Sequence, residues 1–318
     1  MQGGDTTVET TSGPVRGDTK RGVQRWKGIP YAAPPVGPLR FAPPQPPEPW
    51  TEPRTAVGRF PIAPQPLGGM EAAAGGGGGS EAGCLTLNVW SPAADGARRP
   101  VLFWIHGGGF LTGAGTIPWY DGTNLARRDV VVVSCNYRLG ALGFLHLGDL
   151  GGAGFEGSGN AGILDQVAAL RWVRDNIAAF GGDPGNVTVF GESAGGMSVA
   201  TLLGTPAARG LFHKAVPQSG AASNISTRAH ASRVAEGVLE RLGLSSVEDL
   251  RTVPAEAIVD AQTAVRDDFG RGGGLPFQPV VDGVVLDQSP LDAVRAGHAA
   301  GIPLLTGWNA HEMRLFTM

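Results

Sequence analysis

Apolar residues fall in short blocks along this chain, and the period of the blocks changes from place to place. Val187-Thr188-Val189-Phe190 is a β-branched and aromatic run, the pattern of a strand buried on both faces. Val101 to Ile105 and Val130 to Cys135 are near-continuous apolar runs of the same kind. Leu85 to Trp90 alternates as a strand does. Ile163, Val167, Leu170, Val173 and Ile177 recur instead at helical spacing, which predicts an amphipathic helix from about Ala161 to Ala179. Gly181-Gly182-Asp183-Pro184 stops that helix and turns the chain into the Val187 strand. Farther on, Ala215 to Gln218 and Ile302 to Thr306 read as strands, with polar-faced helical material from about Ala229 to Ala264 between them. Strands alternating with helices predict an α/β fold, a mostly parallel central sheet with helices on both faces. Residues 6–60 differ, holding short strand-like pieces broken by turns. Their dense prolines at 34, 35 and 38 exclude helix and predict an extended, surface-wrapping segment.

Two of these strands run straight into glycine-rich turns. The first gives Gly191-Glu192-Ser193-Ala194-Gly195, followed by helix-compatible residues. A serine turning sharply from strand to helix needs neighbours without bulk, and Gly191 and Gly195 provide them. The helix that follows directs free N–H groups toward any anion formed beside the Ser193 hydroxyl. The second turn is His106-Gly107-Gly108-Gly109-Phe110, after the Val101 strand. Its glycines let backbone N–H groups converge on one point, as a developing oxyanion requires. With the amide of Ala194, those of Gly108 and Gly109 give three donors. A phosphate cradle is the rival reading, but neither GxGxxG nor GxxxxGK[ST] spacing is present. His106 is expected to brace the loop, Asp183 to serve its turn, and Asp165 to lie on a helix surface or cap it.

Composition narrows the setting. At 318 residues a single α/β domain over 1–318 is expected, with the low-complexity stretch 68–83 a flexible glycine-rich loop inside it. A net charge of −3 without a basic tract gives no reason to expect nucleic acid or an anionic membrane as partner. No run is long and apolar enough to span a bilayer. The N-terminus has neither a basic start nor an apolar stretch, so a cytoplasmic location is expected. Cys84 and Cys135 lie in apolar strand-like segments and read as buried reduced thiols, with no disulfide, metal or cofactor expected.

Taken together the motifs resemble the type-B carboxylesterases, the carboxylesterase/cholinesterase family of α/β-hydrolases. The resemblance is carried by GIPYAAPPVGPLRF at 28–41, CLTLNVW at 84–90, WIHGGGF at 104–110, YDGTNLA at 120–126 and NYRLGALGFL at 136–145. It continues through GNAGILDQVAALRWVRDNIAAFGGDPGNVTVFGESAGG at 159–196, LFHKAVPQSG at 211–220 and PLLTGWNAHE at 303–312. It implies an α/β-hydrolase fold and a serine esterase acting on a small-molecule ester. Ser193 would be the nucleophile, and Gly108, Gly109 and Ala194 the oxyanion hole. Glu312 falls at the position of the triad acid, although His311 and Met313 replace the family's usual aspartate and glycine there. Phe110, Leu111 and Trp119 are expected to wall the substrate pocket.

One departure bears on mechanism. In the family the triad histidine follows the glutamate past a further strand, whereas this sequence ends at Met318. The expectation is a sheet truncated before its last strand and the catalytic-histidine loop. His106, His146, His213, His230, His298 and His311 all lie outside any segment resembling that loop. The alternative to an esterase is therefore a non-catalytic binding or adhesion-type member, or an inert N-terminal fragment.

Overall fold

The computed structural model describes residues 6–66, 79–269, 274–312 and 314. Its frame is a seven-stranded sheet in the order β10-β9-β7-β8-β6-β4-β3. These strands are β3 (Asp18–Lys20), β4 (Val23–Pro30), β6 (Thr86–Ser91), β7 (Arg99–Ile105), β8 (Val131–Cys135), β9 (Gly182–Glu192) and β10 (Lys214–Gln218). The ladders from β10 to β8 are parallel, and those from β8 to β3 antiparallel. The sheet is thus mixed, and the predicted parallel character belongs to the half from β8 to β10. The antiparallel half is built on the N-terminal pieces, of which β3 and β4 are joined by a tight turn. Arg21 (φ 53°) and Gly22 (φ 77°) make a two-residue hairpin between β3 and β4. A small sheet of β1 (Thr7–Thr10), β2 (Gly13–Arg16) and β5 (Arg54–Thr55), and a parallel pair of β11 (Ser226–Thr227) and β12 (Val280–Val281), lie outside the main sheet.

Each predicted strand except the last is present within two residues at its apolar end, and polar flanks lengthen β7 and β9. The predicted helix runs Ala161–Asn176 and tightens into a 3₁₀ turn, Ile177–Phe180, before Gly181 caps it at φ 83°. Helices Arg228–Leu242 and Ala255–Phe269 fill the polar-faced region. Among the described residues, no helix is long and apolar enough to cross a membrane. Most of the 68–83 loop lies outside the described residues; of its end, Gly79 bridges Ile62 and Glu81–Gly83 form a 3₁₀ turn.

The segment Ile302–Thr306 is not a continuous strand. It meets β10 in two isolated parallel bridges, Ala215–Leu304 and Gln218–Gly307. Ala215 N–H donates to Pro303 O, Leu305 N–H to Ala215 O and Ser219 N–H to Gly307 O. The rung between them would come from residue 217, and Pro217 has no N–H to give.

Asp165 corrects a sequence expectation. It lies neither on the surface nor at a cap but fully buried, with both carboxylate oxygens on Arg138. Cys84 and Cys135 are free and buried, as the sequence indicated. Burial pushes the Cys84 thiol up to about 12 and that of Cys135 higher still.

Candidate functional site

Register brings the two glycine turns together. On the parallel ladder Trp104 lies opposite Phe190 and Ile105 opposite Gly191, so both loops leave the sheet at the same end. Ser193 then sits between β9 and the helix Ala194–Gly204 at φ 56°, ψ −124°. A side chain held there carries about 1–3 kcal/mol of strain. The neighbours that hold it are closely packed. A Cβ added at Gly195 would lie 2.1 Å from the Ile105 carbonyl oxygen, and one at Gly191 would lie 2.6 Å from the Gly195 carbonyl. Ser193 N–H donates to Gln218 O (2.9 Å), fixing the turn against β10. The residue remains partly exposed.

The His106 loop crosses directly over this turn. A Cβ at Gly107 would lie 2.6 Å from the Glu192 carbonyl oxygen and 3.2 Å from Ser193 Cβ. Gly108 (φ 111°) and Gly109 (φ 62°) take conformations that favour glycine, while Leu111 and Thr112 N–H both return to Gly108 O at 3.0 Å. Among the described residues, the amides of Gly108, Gly109 and Ala194 donate to no protein acceptor. The segment after β8 clamps the loop from below. Tyr137 Oη donates to His106 O (2.8 Å) and Gly140 N–H to Phe110 O (2.7 Å).

His106 is the brace the sequence suggested. Its ring is buried, stacks on Tyr137 at 4.4 Å and donates from Nδ1 to Gly107 O at 2.8 Å. Burial drives its pKa down to about 4, although the Gly107 hydrogen bond acts upward. Three of the other histidines have neighbours elsewhere. His213 Nδ1 accepts from Val187 N–H, His146 faces Asp149, and His230 lies edge-on to Phe269. Among the described residues no histidine is hydrogen-bonded to Ser193.

Of the three expected pocket residues, Phe110 is corrected. Its positive φ of 61° turns the ring inward, where it is fully buried 4.9 Å from Phe144. Leu111 is half-buried against the core, and Trp119 is exposed, edge-on to Tyr120. The structure adds Leu275, whose Cδ2 lies 3.9 Å from where a Gly109 Cβ would stand. Nothing near Leu275 in the sequence marked it.

Glu312 is half-buried after the 302–307 segment, its Oε2 accepting from Asn309 N–H. Its partner was missed. The Glu192 carboxyl, inside the elbow motif itself, is raised above the usual range by partial burial and then by the negative charge of Glu312. Two carboxylates, one within the elbow and one after the 302–307 segment, therefore share one neighbourhood across a long sequence separation.

Comparison with known proteins gives the family and the fold. The family model described as "Carboxylesterase family" matches residues 4–318. The para-nitrobenzyl esterase of Bacillus subtilis (strain 168) is 47% identical over 313 residues, covering 97% of this chain and 63% of that protein. The phenmedipham hydrolase of Pseudarthrobacter oxydans is 40% identical over 315 residues, covering 96% and 61%. A crystal structure of the Geobacillus stearothermophilus carboxylesterase at pH 6.2 superposes with a TM-score of 0.90 at 50% identity, covering 98% of this chain and 63% of that one. The chain thus spans about three fifths of the length of the relatives it matches. The mixed sheet with its helical layers is the α/β-hydrolase fold.

Proposed function

The chain belongs to the carboxylesterase family, and from that membership we propose that it serves the hydrolysis of small carboxylic esters through an acyl-enzyme on Ser193. The observation that carries this reading is the strained, solvent-reachable Ser193 beside three unbonded main-chain amides. The Ser193 hydroxyl attacks the ester carbonyl and gives up its proton to a base. The carbonyl oxygen becomes an oxyanion held by the amides of Gly108, Gly109 and Ala194. The alcohol departs with a proton, leaving an ester on Ser193 Oγ. Water then attacks that ester by the same route, releasing the acid and restoring the hydroxyl. Were an imidazole base supplied there, Glu312 would orient it and stabilise its cation. The neutral, buried His106 holds the loop and takes no proton. Leu111 and Leu275 border the Gly109 turn and would contact the substrate's apolar part.

A binding protein without turnover is the second reading. One observation favours it: among the described residues no histidine is hydrogen-bonded to Ser193. Loss of serine or histidine in such a triad lowers turnover by about 10⁶-fold, leaving ~10³–10⁴ over water from the oxyanion hole and binding. A fluorophosphonate probe separates the readings. Labelling that disappears in Ser193→Ala supports the esterase; folded protein that takes no label supports binding alone.

A further inference from the structure

The proposed ester chemistry leaves the opposite half of the sheet unused, and there the molecule has a cavity. It measures about 270 Å³ and lies between β4, β6, the residues following β5 and the Gly115–Asp121 loop. None of its lining comes from the His106–Thr112 turn or the Ser193 elbow. That volume equals roughly nine waters at ~30 Å³ each, enough for a compact organic ion.

Its walls are cationic. Lys20, Arg25, Lys27 and Arg59 line it against one carboxylate, Asp121. Arg25 is already neutralised by Asp18 through two hydrogen bonds, Nε at 2.8 Å and Nη2 at 2.5 Å. Lys27 is different. It sits where the β4–β6 register shifts between Trp26 and Ile29, a bulge of the kind that re-aims a side chain. Among the described residues its ammonium has no hydrogen bond and no ion pair, although it is half-buried. Burial, and then the neighbouring Arg25, hold its pKa below the ordinary lysine range, while Asp121 and Asp18 act upward more weakly.

A second group in the same wall is incomplete. Trp90 lines the cavity at 2% exposure, and its Nε1–H has no acceptor. A buried donor without an acceptor costs about 1–3 kcal/mol, so such groups in native proteins call for an explanation. The indole nitrogen itself is closed to solvent, so it is Lys27, a half-buried cation, that an anionic oxygen in the cavity would pair. The excess of positive over negative charge in this cleft concentrates a field that draws such an ion in.

We infer that this cavity is a binding site for a small dianion bearing phosphate or carboxylate oxygens, held by Lys27 and the adjacent Lys20 and Arg59. Arg25 shapes the site but stays committed to Asp18. The apolar side of such a ligand would rest on Phe60 and Ile117, which complete the wall.

The test is titration calorimetry of the whole chain with inorganic phosphate and, separately, malonate, at low ionic strength with chloride as the control anion. Saturable one-site binding of either dianion is expected, weakened by added chloride. Lys27→Met should weaken it about tenfold or more, the scale of a charge-assisted hydrogen bond. Lys214→Gln, which alters a lysine bonded to Asn186 outside the cavity, should leave it unchanged. Should Lys27→Met fail to fold, Arg59→Ser, at an exposed side chain, carries the same expectation. Absence of saturable binding by both dianions overturns the inference. So does equal affinity in wild type and in the folded cavity variant.

Discussion

Replacing Asp165 with asparagine would leave the Arg138 guanidinium charged and uncompensated inside the core. The two side chains are 0% and 3% exposed respectively. Arg138 Nε donates to Oδ2 at 2.8 Å, Nη2 to Oδ1 at 2.7 Å, and the Arg138 main-chain N–H also reaches Oδ2 at 3.0 Å. A third guanidinium nitrogen, Nη1, donates to Ala42 O at 2.8 Å, so the pair also ties the N-terminal segment to the sheet. Removing one partner of a buried pair costs about 3–5 kcal/mol, because the remaining charge stays desolvated. With an m-value of about 3 kcal/mol per molar urea, the midpoint should fall by roughly 1–1.7 M. Arg138→Met alone should cost a similar amount, since it strands the Asp165 carboxylate. Arg138→Met with Asp165→Asn strands no charge, so its loss should fall short of the sum of the single losses by about 2 kcal/mol or more. Urea unfolding followed by far-UV circular dichroism measures all four corners of the cycle. Single losses that add to within about 0.5 kcal/mol would refute the coupling. The consequence reaches the site, because Tyr137 and Gly140 on either side of Arg138 hold the His106 loop.

Other outcomes follow from titrating groups. His106 has a folded pKa of about 4 against 6.5 unfolded, so the stability it contributes is complete above pH 6.5. That stability is lost as pH falls toward 4, by about 3 kcal/mol. Urea midpoints across this window should show the decline, and His106→Asn should flatten it. Glu192 shifts the other way: its raised pKa gives stability present at acid pH and lost as pH rises through the folded value. Glu192→Gln should therefore raise the thermal midpoint at pH 7, with the gain shrinking below pH 4.5, and Glu312→Gln should lower the Glu192 pKa seen by carbon-13 NMR. Native protein should leave Ellman's reagent unreacted, because both thiols are buried and Cys84 titrates near 12; the unfolded chain should release two equivalents.

What the sequence disclosed depended on how local the cause was. The elbow could be read because five consecutive residues determine it: Gly191 and Gly195 are small where a Cβ would strike backbone within 2.6 Å. The His106 loop was legible for the same reason. Asp165 was not. It falls in a helix buried on most of its faces, including Gln166 and Asn176, so helical periodicity could not separate a buried carboxylate from a surface one. Its partner stands 27 residues earlier, in the loop after β8. Phe110 was read as a pocket wall, but at φ 61° its ring lies buried against Phe144, which the sequence did not indicate. Ile302–Thr306 had a strand's composition, but its partner β10 carries a proline at the middle rung, and Leu304 and Leu305 remain 55% and 68% exposed. The Glu192–Glu312 neighbourhood arises only when the sheet brings distant residues together.

Rapid acid quenching during reaction with p-nitrophenyl acetate, followed by peptide mass analysis, tests most directly whether Ser193 accepts an acyl group. The expected result is an acetyl group on Ser193 in the peptide joining β9 to its helix, and none in Ser193→Ala. A folded chain that acquires no acetyl there, or a Ser193→Ala variant that consumes the ester at the wild-type rate, would contradict the proposed chemistry.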